Sequence, residues 1–289
     1  MCDEFTAIEE EAAIVGAGLT RRDFAAVGAA AALAGCATTG EAGAVALTES
    51  TVTFSTPDGT ADAFFAHPTK GKHPGVIMWP DIAGIRDAFK VMARRLAADG
   101  HAVLLVNQYY RNAPAPHLAT ISEWRTPAGQ EKLKPMLPLL TPAAITSDAK
   151  AFVTFLDKQK AVDTKRGIGS NGYCQGGAFT VRSAAAVPGR VKAAASFHGG
   201  GLVTDKPDSP HKLLAATQAS YLIAVARNDD ARAPTDKDVF KAAAVAAGRP
   251  AEVEVYNADH GWCALDAPIY DKAEAERAWA RLLALYAQL

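Results

Sequence analysis

The run Gly172-Tyr173-Cys174-Gln175-Gly176-Gly177 constrains this chain more than any other feature. An apolar segment from Gly167 to Ser170 leads into it, and a helix of small residues follows. Glycines around one cysteine describe a sharp strand-to-helix turn, where the backbone is strained and neighbouring chain passes close by. The side chain at the apex sits over a helix N-terminus, whose unpaired N–H groups and positive dipole end favour a thiolate over a thiol. The other reading of these residues is a glycine-rich turn with an inert buried cysteine.

The rest of the chain supplies the architecture that such a turn needs. Val52-Thr53-Phe54-Ser55 and Ala61 to Phe65 flank Pro57-Asp58-Gly59 and predict an opening hairpin. Short apolar runs at Gly75–Met78 and Ala102–Val106 have the character of buried strands, Lys192–Phe197 and Ser220–Ala226 read as further strands, and Ala251–Tyr256 as the last. Helical spacing covers residues 86–99, 143–158, 236–247 and 271–288, with Thr141-Pro142 as the start of the second. Alternating strands and helices predict an α/β fold, a doubly wound and mostly parallel sheet flanked by helices. Reactive side chains then belong at the carboxyl ends of the strands. Residues 112–141 break the rhythm and read as a long loop or lid.

Two further positions fit the turn. His260 follows the last strand and precedes the last helix, in Asn257-Ala258-Asp259-His260-Gly261-Trp262. Asp229 and Asp230 follow the strand that ends at Ala226. Cys, then Asp, then His is the chain order nucleophile, acid, base. Asp229 falls in register with its strand; Asp230, four residues before Pro234, is the alternate acid.

From about residue 50 to its end the chain resembles the dienelactone hydrolase family of α/β-hydrolases. The blocks that carry the resemblance are Gly172 to Gly177, Trp79-Pro80-Asp81-Ile82-Ala83-Gly84, Gln108-Tyr109-Tyr110-Arg111, His260-Gly261-Trp262 and Pro268-Ile269-Tyr270-Asp271. The resemblance implies an ester or lactone hydrolase of carboxymethylenebutenolidase type, with Cys174, Asp229 and His260 as triad. It implies oxyanion donors from the Ile82 and Gln175 N–H groups, and Asp81, Tyr110, Arg111, His198 and Trp262 near the substrate. Two positions depart from the family. Asp81 stands where the archetype has Glu. A second carboxylate-binding arginine is missing, since Cys263, Ala264 and Leu265 occupy its place after the histidine.

The first 48 residues read differently from the 49–289 domain. Thr20-Arg21-Arg22-Asp23-Phe24 before the Ala-rich run 25–35 resembles a twin-arginine (Tat-type) export signal, although Glu9, Glu10 and Glu11 are unusual in such a leader. Leu33-Ala34-Gly35-Cys36 resembles a lipobox with Cys36 as the acylated residue, and residues 37–48 read as a tether. The expectation is an exported bacterial protein, periplasmic or held to the membrane through Cys36, acting on a small-molecule ester or lactone.

A formal net charge of −1 gives no electrostatic case for nucleic acid. There is no dinucleotide glycine fingerprint and no Walker motif, so no organic cofactor is expected. The rival to an enzyme is an exported lipoprotein that keeps the fold for binding, or for a metal held by Cys174, His260, Cys263 and His198. Cys263 has two readings: a disulfide partner that would switch Cys174 off, or a small buried apolar residue.

Overall fold

A computed structural model describes residues 45–289. The segment read as an export signal, and Cys36, lie outside the described residues. The chain begins with the antiparallel strands β1 (Leu47–Thr56) and β2 (Gly59–Pro68), and β1 starts two residues inside the segment read as a tether. Then come β3 (Gly75–Trp79), α1 (Asp87–Ala98) and β4 (Ala102–Val106). Three short elements follow: α2 (Ile121–Trp124), α3 (Pro127–Leu133) and a single 3-10 turn at Leu137–Leu139. The second half runs α4 (Pro142–Asp157), β5 (Ile168–Tyr173), α5 (Gln175–Ala186), β6 (Val191–Phe197), α6 (Pro210–Leu213), β7 (Ser220–Ala226), α7 (Arg227–Arg232), α8 (Asp236–Ala246), β8 (Ala251–Tyr256) and α9 (Lys272–Tyr286).

The eight strands form one sheet in the order β1-β2-β4-β3-β5-β6-β7-β8. β2 meets β4 antiparallel, and every pairing from β4 through β8 is parallel. β3 and β4 are buried on both faces, which is why they read as unbroken apolar runs. Within them the faces still alternate. Val76 and Met78 of β3 pack with α1 and α9, while Ile77 and Trp79 pack with α4 and α5. Strand order reverses at β3, between β4 and β5, so a crevice opens at the carboxyl ends of β3 and β5.

Residues 112–141 are not the structureless loop that their lack of periodicity predicts. Thr126 caps α3 by accepting from the Gly129 N–H, with Pro127 in the first turn. Leu118, Leu133 and Met136 pack with Ile82, Ala83 and Tyr109 in a small core over the carboxyl edge of the sheet. Helices of four and seven residues are too short for a 3.6-residue period to register.

Candidate active site

Cys174 stands between β5 and α5 with φ 51° and ψ −119°, outside the conformations that a side chain ordinarily adopts. Its neighbours explain why glycine surrounds it. A Cβ on Gly172 would lie 2.1 Å from the Gly176 carbonyl oxygen, and one on Gly176 would lie 2.6 Å from that of Pro80. The strained residue is held by its own N–H, which donates to the Phe197 carbonyl at 3.0 Å and to His198 Nδ1 at 3.1 Å. Since Nδ1 accepts, the His198 proton belongs on Nε2. Burial, and then the neighbouring His260, push the His198 imidazole well below its ordinary value, so it is neutral.

His260 is buried beside it, the two rings 4.9 Å apart. Its Nδ1 lies 2.7 Å from Asp229 Oδ2, and its backbone N–H donates to Asn228 Oδ1 at 2.9 Å. The other Asp229 oxygen accepts from Arg232 at 2.8 Å. Asp230 instead pairs with Lys237 at 2.6 Å. Asp229 is therefore the acid brought to His260.

Ile82, Gln175, Asp229 and His260 line one cavity of about 590 Å³. Gln175 is the first residue of α5, so its N–H has no acceptor within the helix. Ile82 sits on the β3–α1 loop, and that loop is braced through its carbonyls. Gln108 Nε2 donates to the Asp81 carbonyl at 2.8 Å, and the Tyr109 hydroxyl donates to that of Ile82 at 2.7 Å. Pinning these carbonyls fixes the plane of each peptide, and with it the direction of the next N–H.

The remaining expected substrate residues do not line the cavity. The Asp81 carboxylate is taken by Arg86, at 2.6 and 2.8 Å, and by the Ala83 N–H. Arg111 is bidentate to Asp148 and also meets Asp58, while the Tyr110 hydroxyl donates to the same Asp148. Asp148, on α4, is fully buried and absent from the sequence reading; an acid on a helix far from the motif gives no local signal. Trp262 is buried, stacked on Tyr256 and set edge-on to His198. His198 accepts from the Cys174 N–H at the turn and is not on the cavity wall.

Cys263 packs on the opposite face of the sheet, in a small void with Met92, Tyr173, Phe197 and Trp279. Burial pushes its thiol well above the ordinary value, and neither it nor Cys174 is in a disulfide. Among the described residues no three His, Cys, Asp or Glu side chains gather as a metal site would require, which removes the convergence that the metal reading needs. No described helix is long and apolar enough to cross a membrane.

Residues 61–289 match the model of the dienelactone hydrolase family. A curated relative from Methylorubrum extorquens, described as "Putative carboxymethylenebutenolidase", is 30% identical over 231 residues, 78% of this chain and 76% of its own. Among solved structures, "Putative Dienelactone Hydrolase" from Klebsiella pneumoniae superposes with a TM-score of 0.72 at 24% identity, over 84% of this chain and all of its own. A dienelactone hydrolase-like promiscuous phosphotriesterase from metagenomic libraries gives 0.68 at 22% identity, over 84% and 99%. The chain belongs to the dienelactone hydrolase family and is an ester or lactone hydrolase.

Proposed function

We propose that the protein cleaves its ester or lactone through Cys174, His260 and Asp229, by way of a thioester acyl-enzyme. The observation that carries this reading is the 2.7 Å contact between His260 Nδ1 and Asp229, the acid–imidazole pairing that orients a general base. Cys174 thiolate attacks the carbonyl carbon, forming a C–S bond and a tetrahedral oxyanion. The Ile82 and Gln175 N–H groups stabilise that oxyanion, each worth roughly 3–4 kcal/mol in comparable sites. The intermediate collapses; the alkoxide leaves with a proton from His260 Nε2, and the thioester remains. Water then attacks with His260 taking its proton, and the carboxylic acid departs as the thiolate re-forms.

The test is hydrolysis of p-nitrophenyl butyrate under reducing conditions by wild type and Cys174→Ala. Turnover in the wild type and none in the folded variant is expected. Undiminished turnover in the variant would remove the mechanism, and no turnover in either would favour a binding protein.

Export through the twin-arginine leader, with lipid on Cys36, belongs to the same proposal. Arg21-Arg22 and Leu33-Ala34-Gly35-Cys36 support it. Mass spectrometry of the protein from a bacterial host should find a diacylglyceryl-modified Cys36 in the membrane fraction, lost in Cys36→Ser. An unprocessed N-terminus in the cytosol would overturn it.

A further inference from the structure

The chain enters the sheet and the cavity opens from it at opposite edges. β2 is antiparallel to β4, with Ala63 opposite Val106 and Ala66 opposite Val103, so β2 ends where the parallel strands begin. β1 in turn pairs Leu47 with Pro68, which puts the start of the first strand at that same amino edge. The Ala46 carbonyl is held there by the Thr69 N–H at 2.8 Å and the Thr69 hydroxyl at 2.9 Å. Ile82, Gln175, Asp229 and His260 each follow the carboxyl end of a strand instead. Strands of five to seven residues, at about 3.3 Å each, set the two edges roughly 17–23 Å apart.

The amino edge is basic. Lys70 and Lys72 stand on the β2–β3 connection, and Lys158, Lys160 and Lys165 on the α4–β5 connection, all exposed. His73 joins the two connections. Its N–H donates to the Ala161 carbonyl, its carbonyl accepts from the Asp163 N–H, and its Nε2 lies 2.8 Å from the Lys70 carbonyl. The five lysines therefore share one surface, beside the point where Ala46 enters. Lysine ion pairs among the described residues form at Lys90, Lys134 and Lys237, and at none of these five. Asp99 and Asp163 are the acids on the connections around them, and Asp157 is already paired with Arg190. On a protein whose formal net charge is −1, such a cluster concentrates positive potential on one side.

Covalent geometry says what that side meets. Nine residue steps separate Cys36 from Val45, at most about 32 Å of chain. A lipid on Cys36 confines the amino edge to the vicinity of the membrane, and the lysines then meet the bilayer at high effective concentration. Anionic headgroups attract them in proportion to their number, and the attraction orients the domain.

We propose that the basic amino edge is a docking surface for an anionic phospholipid bilayer, which holds the protein with its cavity turned to the aqueous side. The inference rests on the proposed lipidation of Cys36 for the anchor; the lysines supply the orientation. Substrates then arrive from the water phase rather than from within the bilayer.

The surface is tested on the unacylated full chain, Cys36→Ser, by sedimentation with vesicles of phosphatidylcholine alone or mixed with phosphatidylglycerol, at low and high salt. Three double variants are compared in that background: Lys70→Gln with Lys72→Gln, Lys160→Gln with Lys165→Gln, and Lys132→Gln with Lys134→Gln at the carboxyl edge. The leader is common to all, so only differences between them are read. Partition into anionic vesicles is expected to exceed that into neutral ones and to fall with salt. It should weaken about fivefold for each lysine neutralised at the amino edge, while the carboxyl-edge pair matches the parent. Equal losses in all three pairs, no preference for anionic vesicles, or tighter binding to a single-stranded RNA oligonucleotide would overturn the proposal. Turnover of p-nitrophenyl butyrate by lipidated wild type on anionic vesicles is expected to match that of the protein in solution, and inhibition there would overturn the orientation. A Cys36 without lipid would defeat the anchor alone, because the partition measurements use none.

Discussion

Asp229 and Asp230 share a peptide bond and the first turn of α7, yet they answer to different partners. Asp229 accepts from His260 and Arg232; Asp230 accepts from Lys237 across the turn to α8. Successive helical residues point about 100° apart, so only one of them can face His260. Asp229→Asn is expected to lower kcat on the order of 10³- to 10⁴-fold, because an amide at that position no longer stabilises the imidazolium or its working tautomer. Asp230→Asn should stay near wild type. Steady-state kinetics of the two variants decides between them, and a larger loss in Asp230→Asn would reverse the assignment. Sequence register already favours Asp229 here, since the strand before it ends cleanly at Ala226.

At the scale of elements, the six parallel strands and five longer helices were legible because their patterns are local. β4 is an apolar run of five residues, and α4 announces itself with a Thr cap and a proline. The start of β1 was not legible, because most of its first half is exposed and it lacks a clean alternation. α2, α3, α6 and α7 were missed for their brevity. The same limit shaped the site. Cys174 and His260 announce themselves by flanking glycines and chain order. The Gln108–Arg111 block was recognisable as a unit, but what its members hold was not. Gln108 and Tyr109 brace the β3–α1 loop, while Tyr110 and Arg111 go to a carboxylate on α4, a pairing that depends on tertiary contact alone.

At the scale of the whole molecule, Arg86 joins three distant parts of the chain. It is bidentate to Asp81 on the β3–α1 loop and to Asp266 on the β8–α9 connection. Asp266 also accepts from the Ile121 N–H at the start of α2, at 2.9 Å. Burial works to raise the Asp266 carboxyl, but the Arg86 guanidinium and the Ile121 amide hold it below its ordinary 3.8. A carboxyl depressed in the fold contributes stability that is present above that ordinary value and fades as acid approaches the folded one. Removing one member of a buried pair costs about 3–5 kcal/mol, so Arg86→Met is expected to lose that much at neutral pH. Without the cation the Asp266 carboxyl shifts upward, so the deficit should narrow on acidification as it becomes neutral. Urea denaturation at neutral pH and at about pH 4 measures both. An equal deficit at the two would assign the loss to packing of the arginine stem.

The Ile121–Asp266 contact has a bearing on how this enzyme can diversify. It fastens the first half of the 112–141 segment to the ion cluster that also anchors the β3–α1 loop. The far end of that segment, at Leu137 and Leu140, faces the cavity and reaches none of that cluster. Both leucines also pack against the small core that holds Ile82, Ala83 and Tyr109, so a change there reshapes the cavity wall and loads the β3–α1 loop together. Selection for a differently shaped cavity at these positions has to work through the same core that seats Ile82.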